Sequence, residues 1–415
     1  MNYWHMQLHP SDITWGREKN LLIERGVIGL GDWKEEKANQ QVAFEKQMKK
    51  GDIVAVKRGG NFIALTRVTG DYEYIEDDED FEWCKRRRKI EILDWYDRSY
   101  AFYVAPNKTL TRCADENTAT TISIKKWYKQ VIDNQKKVKT LELIKFKHQI
   151  ILQGPPGTGK TRLAKLLAEE ITRKGNTLAD KDEQISQGEY QIVQFHPAYS
   201  YEDFVRGIVA ETNENGNISY KVENRVLAEF AKKAQANPNG KYVLIIDEIN
   251  RANLPSVLGE LIYALEYRGM AVTTMYELEG DRQITLPENL YIIGTMNTAD
   301  RSVGHIDYAI RRRFAFVNVD PDINVIINQK AKNLFEQIDL LFKEYISPDF
   351  QASDVMIGHS YFIVEDKNEA ELKIKWDYEI KPILREYIKD GILIGAASEK
   401  INKIDEDFNE VISRN

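Results

Sequence analysis

Two kinds of hydrophobic pattern divide this 415-residue chain. In the first third, short apolar runs alternate with turn residues. Residues 51–74, GDIVAVKRGGNFIALTRVTGDYEY, predict two strands about a Gly59-Gly60-Asn61 turn. KRRRKIEILDWY, 85–96, predicts another strand with a basic start, and residues 3–33 begin as a strand and continue as a helix-like run. Together these predict a small mixed α/β barrel. Further on, apolar runs at 150–152, 242–246 and 289–297 predict buried parallel strands, and Leu163, Leu166 and Leu167 mark one face of a helix. Residues 204–222 and 272–286 read as hairpins, the first turning at Asn-Gly and the second at Glu279-Gly280-Asp281. From about residue 322 the pattern turns helical, as in NLFEQIDLLFKEYI. The expected organisation is 1–135, a barrel-like domain; 136–321, an α/β core; and 322–415, a helical lid. DNQKKVKT, 133–140, is a polar basic stretch suited to a linker.

Composition supports the division. Residues 1–140 carry 25 basic against 22 acidic residues, and the remainder carries 33 against 43. Six of seven tryptophans lie in the first part. The net charge of −7 argues against a uniformly basic nucleic-acid coat. No apolar run is long enough for a membrane span, the N-terminus lacks the features of a signal peptide, and Cys84 and Cys113 have no metal or redox spacing. A cytoplasmic protein with no membrane partner is expected.

The chemistry begins at QIILQGPPGTGKTRLAKLLAEE, 149–170. A strand runs into Gly154-Pro155-Pro156-Gly157-Thr158-Gly159-Lys160-Thr161 and then a helix, which is G-x-x-x-x-G-K-T in the setting it requires. Backbone N–H groups of such a loop, with the positive end of the helix, hold phosphates. Lys160 is expected at the β and γ phosphates and Thr161 on Mg2+. A second apolar strand ends in Asp247-Glu248, a carboxylate for the metal followed by one that can orient and deprotonate water. A third ends at Asn297. Carboxyl ends of parallel strands are where α/β proteins bind ligands, so these three ends converge on one crevice. Asn297 is expected to face the γ phosphate from the side opposite Lys160. A short helix then ends in Arg311-Arg312-Arg313, the residue type suited to charge on a transferring phosphoryl group.

At this point the chain resembles the AAA+ superfamily, and within it the McrB branch. The matching stretches are GPPGTGKT, QFHPAYSYEDFVRG, IIDEINRAN, GTMNTADRS, DYAIRRRF and IGHSYF, spread over residues 145–365. The resemblance implies an AAA+ P-loop core with a helical lid, a homo-hexameric ring, Mg2+-dependent hydrolysis, GTP rather than ATP as substrate, and an McrC-type nuclease subunit as partner. It implies Asn297 as the sensor, Asp300 as its support, and Arg251, Arg312 and Arg313 as arginines acting across the subunit interface. His359, in GHSYF, would sit near the nucleotide. GTP rests on this resemblance alone.

Residues 1–100 resemble, more loosely, the EVE, YTH and PUA-like domains, in which an aromatic cage holds a modified base lifted from the helix. That implies modified DNA as a partner, with Trp33 the first choice for the cage, Trp4 and Trp15 after it, and Arg86 and Arg87 of the basic run 85–89 meeting phosphates. Two other readings stand beside the ring GTPase: an ATP-driven remodelling chaperone of the MoxR type, and a non-hydrolysing, nucleotide-gated DNA-binding scaffold.

Overall fold

The computed structural model describes all residues except 9–15, 32–37, 106–107, 116–117, 174–187, 213–215, 301–305, 366–367 and 414–415. The chain divides into two compact units, Met1–Val138 and Lys139–Asn415. Among the described residues no helix is long and apolar enough to cross a membrane.

In the first unit, β1 (Tyr3–Gln7), β2 (Val27–Leu30), β3 (Ile53–Arg58), β4 (Asn61–Tyr74), β5 (Arg86–Trp95) and β6 (Leu110–Arg112) form one mixed sheet in the order β2-β5-β4-β3-β1-β6. β1 and β3 are parallel, and the other neighbours are antiparallel. Arg58 pairs with Asn61, so the first hairpin turns on Gly59-Gly60, with Gly59 at φ 55°. Register shifts in β4 after Leu65 and Val68 interrupt its pairing with β5, and irregularities of this kind bend a strand. Alternation along β1 and β3 sends Trp4, Met6, Val54 and Val56 to one core, and Ile53 and Ala55 to another. Ile124, Trp127 and Val131 of α1 (Ala119–Lys147) cover the second. The boundary between the two units falls within 133–140, as expected, but that stretch is helix and not an irregular linker. It is polar, but it contains no glycine or proline, and its lysines and glutamine are good helix formers.

The second unit opens with β7 (Gln149–Gly154), followed by α2 (Lys160–Thr172), β8 (Tyr190–Gln194), β9 (Arg206–Thr212), β10 (Ile218–Asn224), α3 (Val226–Ala236), β11 (Tyr242–Asp247), α4 (Leu261–Glu266), β12 (Ala271–Leu278), β13 (Asp281–Thr285), β14 (Leu290–Asn297), α5 (Tyr308–Arg313) and β15 (Ala315–Asn318). Five strands make an all-parallel sheet ordered β15-β7-β14-β11-β8. Its three central strands, β7, β14 and β11, are buried on both faces. Val243 and Ile245 pack with Ala164, Leu167 and Ile171 of α2, while Leu244 and Ile246 pack with Leu227, Phe230 and Ala231 of α3. That explains why these strands read as continuous apolar runs.

The two expected hairpins, β9–β10 and β12–β13, form and are fastened together by Arg206. This buried guanidinium donates to Asn224, to Thr274 Oγ1 and to the carbonyls of Tyr276, Asp281 and Gln283. The lid has its own core, built by α6 (Gln329–Tyr345), α7 (Lys381–Lys389), α8 (Ala397–Ser413) and the shorter turns between them, around Phe335, Phe342, Phe362, Trp376 and Leu384.

Candidate nucleotide site

The sheet brings the three predicted strand ends together. β7 and β11 each pair with β14, so the phosphate loop, the Asp247-Glu248 pair and Asn297 leave adjacent strands at the same edge. Gly157 and Gly159 have φ of 78° and 83°, the left-handed region that glycine adopts without strain, and the loop depends on it to turn into α2. Lys160 is buried, and its ammonium donates to the carbonyls of Gly154 (2.9 Å) and Pro155 (2.7 Å). Burial pulls its pKa down to about 8, against the opposing pull of the Glu248 and Asp247 carboxylates.

Asp247 is the hub of the metal side. Its Oδ1 accepts from Thr161 Oγ1 at 2.8 Å and from Thr295 Oγ1 at 2.5 Å. A hydroxyl and a carboxylate side by side are the hard oxygen donors that Mg2+ takes, so the residues fit that ion. Glu248 sits at φ 54°, an uncommon conformation for a non-glycine residue, and its backbone N–H donates to Thr295 Oγ1 at 3.2 Å. One oxygen of its carboxylate accepts from the Asn297 amide at 2.5 Å, and the other faces Arg251 Nε at 3.3 Å. Arg251 in turn lies 3.6 Å from Asp300. In this structure the half-buried asparagine is therefore held against the glutamate beside it.

Thr295 and Asn250 do not stand out in the sequence. Thr295 is a buried hydroxyl in an apolar strand, two residues before Asn297 and on the same face, and that placement is its only sequence signal. Asn250 is buried, donates to the Asn297 carbonyl at 3.2 Å, and leaves its own Oδ1 without a partner. Both asparagines line a cavity of about 690 Å³ with Gln153, Thr298, Asp300 and Arg311 on the core side and Asp349, Phe350, Gln351, Asp354 and Val355 on the lid side.

The lid touches the phosphate loop directly. Gly358 N donates to the Pro156 carbonyl and Ser360 N to the Gly157 carbonyl, both at 3.0 Å. His359 does not point a donor there through Nδ1, which accepts from the Asp322 backbone at 3.1 Å. Thr298 Oγ1 donates to the Asp354 carbonyl at 2.6 Å, a second tie between lid and core.

The three consecutive arginines separate. Arg311 lines the cavity beside Asn297, 5.0 Å over the Phe316 ring. Arg312 is 65% exposed and Arg313 8%, and both meet Glu266 of their own chain.

The expected DNA-binding residues fare differently. Trp15 and Trp33 lie outside the described residues. Trp4 is 1% exposed and its indole N–H donates to Asp52 at 2.9 Å, so it is a core residue that offers no ring face to a base. Arg86 is paired with Glu45 at 2.9 Å, and Arg87 is buried against Asp78 and the carbonyls of Cys84 and Phe81. Arg87 is therefore taken up by the fold and is not free to meet phosphates, while Arg86 is half-buried in its ion pair. β5 lies between β2 and β4, and an arginine inside a sheet must find its acceptors there.

Comparison with known proteins agrees with this geometry. Residues 149–314 match the AAA domain of the dynein-related subfamily, and residues 338–394 match the alpha-helical lid domain of McrB. Residues 109–180 match IstB-like ATP binding protein, and residues 13–112 match a domain of unknown function, DUF8426. The chain is 37% identical over 272 residues to the type IV methyl-directed restriction enzyme EcoKMcrB subunit of Escherichia coli K12, covering 60% of this chain and 56% of that one. It is 29% identical over 200 residues to the type II restriction enzyme BsuMI component YdiS of Bacillus subtilis 168, covering 40% of this chain and 55% of that one. The chain thus spans about half the length of these curated relatives.

Proposed function

Starting from a chain that carries an McrB-type AAA+ core and lid, we propose that it is a GTP-hydrolysing ring motor that drives or regulates an McrC-type nuclease in restriction of modified DNA. The observation that carries this is the linked set Thr161–Asp247–Thr295 and Arg251–Glu248–Asn297, which supplies a metal side and a water side at one phosphate loop.

Mg2+, held by Thr161 and Asp247, would neutralise charge on the β and γ phosphates. Lys160 and the loop N–H groups orient the phosphates, with Lys160 transferring its bonds from the loop carbonyls to phosphate oxygens. Glu248 accepts a proton from the attacking water. Asn297 and Arg251 fix the direction of that carboxylate and Asp300 holds Arg251, so Arg251 is assigned to its own subunit's site instead of the neighbour's, and Asp300 to Arg251 instead of Asn297. Asn297 also stands where its amide can turn to the γ phosphate or the water, the sensor role. Arg312 acts on the nucleotide of the adjacent subunit in a homo-hexamer, with Arg313 in support. The N-terminal unit acts as an EVE-like base reader, with Trp33 and Trp15 the remaining cage candidates.

Turnover of GTP and ATP, with and without the co-expressed nuclease, tests the motor reading. Faster turnover with GTP, raised further by the nuclease, is expected; ATP-only turnover indifferent to the nuclease would replace it with the remodelling-chaperone reading. Titration of the full chain against duplexes with plain or modified bases tests the reader, and equal binding to all would end it.

A further inference from the structure

Of the three consecutive arginines, Arg311 and Arg312 are exposed and Arg313 is buried, and Arg312 is the exposed one that a carboxylate holds. Its Nη2 lies 3.2 Å from Glu266 Oε2, and Arg313 Nη2 lies 2.9 Å from the same oxygen. Arg313 is fixed independently. Its Nη1 donates to the Ala309 carbonyl at 2.8 Å, and its own carbonyl accepts from Gln149 Nε2 at 2.8 Å. Gln149 opens β7, the strand that leads into the phosphate loop. Glu266 is thus held in place by a buried partner, and Arg312 is aimed from a fixed carboxylate.

We propose that Glu266 is a positioning residue for an Arg312 that serves the nucleotide site of a second copy of this chain. The inference rests on the action in trans proposed above. Arginine is long and flexible, and a carboxylate anchored beside it limits the directions it samples. The two pairs on Glu266 differ in kind. The Arg312 pair is exposed, and such pairs contribute little, so a phosphate oxygen can draw Arg312 away. In the second pair the Arg313 guanidinium is itself buried, and removing its partner would leave that charge uncompensated, so Arg313 stays as the anchor.

The test uses full-length subunits and GTP. A misplacement of about 1 Å costs on the order of 10²-fold in rate, so Glu266→Ala should lower kcat by roughly that factor with KM little changed. Arg312→Ala should lower it by about 10³-fold or more. Each variant is then mixed with Lys160→Ala, and assembly is checked by size-exclusion chromatography. In mixed rings an intact phosphate loop on the Glu266→Ala subunit meets a correctly held Arg312 from the Lys160→Ala subunit, and turnover should recover. Recovery with Arg312→Ala but not with Glu266→Ala would place the Glu266 effect inside its own subunit and overturn the proposal alone. Recovery with neither, in assembled rings, would overturn action in trans and the proposal with it. An unchanged kcat in Glu266→Ala would also overturn it. Glu266→Gln, which keeps an acceptor for Arg313, is measured in parallel and read by the same outcomes should the alanine variant fail to fold.

Discussion

Replacing Gly358 by alanine adds one methyl group where the lid meets the phosphate loop. Gly358 has φ −71°, which alanine adopts freely, so backbone strain plays no part. A Cβ there would lie 2.1 Å from Gly157 C, 2.2 Å from its oxygen and 2.5 Å from Thr158 N. Non-bonded carbons rest at about 3.5–4.0 Å, so the lid must retreat by at least about 1.4 Å. All three atoms are loop backbone, and no flexible side chain can yield. The retreat breaks the Gly358–Pro156 and Ser360–Gly157 hydrogen bonds, each worth about 0.5–1.5 kcal/mol. Overpacking costs about 1–3 kcal/mol, and the lower freedom of alanine in the unfolded chain returns about 0.4–1 kcal/mol. The net expected loss is about 1–6 kcal/mol, centred near 3, or roughly 10 °C in Tm for a unit of this size. Gly395→Ala is the control, because a Cβ there meets nothing within 4 Å. Differential scanning fluorimetry and fluorescent GDP binding on both variants decide the matter. If Gly358→Ala melts and binds nucleotide like the control, the contact between lid and loop is not as described.

The other predictions concern single groups. Asn297→Ala should keep nucleotide binding and lower single-turnover hydrolysis by about 10²–10³-fold, the usual worth of one preorganised donor at a reacting centre; equal turnover would remove its role. Trp4→Phe should cost about 1–2 kcal/mol through the lost bond to Asp52 and leave DNA binding unchanged, whereas a selective loss of modified-DNA binding would return Trp4 to the cage. His5 is buried, and burial with the nearby Lys57 charge lowers its pKa to about 4. Between pH 6.5 and 4 the unfolded chain therefore binds a proton that the fold refuses, and stability should fall by up to about 3 kcal/mol as pH drops through that window. Denaturant midpoints at pH 7 and 4.5 should show a loss that His5→Gln abolishes, and parallel curves for the two proteins would refute it.

What was legible in the sequence was local or periodic. The apolar runs gave the buried strands because a parallel sheet covered on both faces has no polar side to show. The glycines, Lys160 and Thr161 were legible because phosphate binding needs those residue types at that spacing. The convergence of Asp247, Glu248 and Asn297 followed from strand ends sharing one edge. Thr295 was not legible, since a hydroxyl in an apolar strand carries no label until its acceptor, Asp247, is known to lie on the neighbouring strand. The stretch 133–140 was legible as the boundary between the units but not as helix, because polarity was weighed above helix propensity.

The basic runs show the same limit from the other side. Arg86, Arg87 and Arg88 look like a surface patch in sequence, and so do Arg311, Arg312 and Arg313. In β5 the neighbours are strands on both sides, so Arg87 and Arg88 are buried and satisfied by Asp78 and by backbone carbonyls. At the end of α5 the helix turns each successive side chain by about 100°, which sends one arginine to the cavity, one to solvent and one into the fold. A run of like charges therefore says how many cations must find partners and nothing of where those partners are. The partner decides the role: Arg87 is itself buried, with carbonyls and a carboxylate it cannot leave without cost, while Arg312 has one half-exposed carboxylate and can. That difference, not the sequence run, separates an arginine that can change partners from one that cannot.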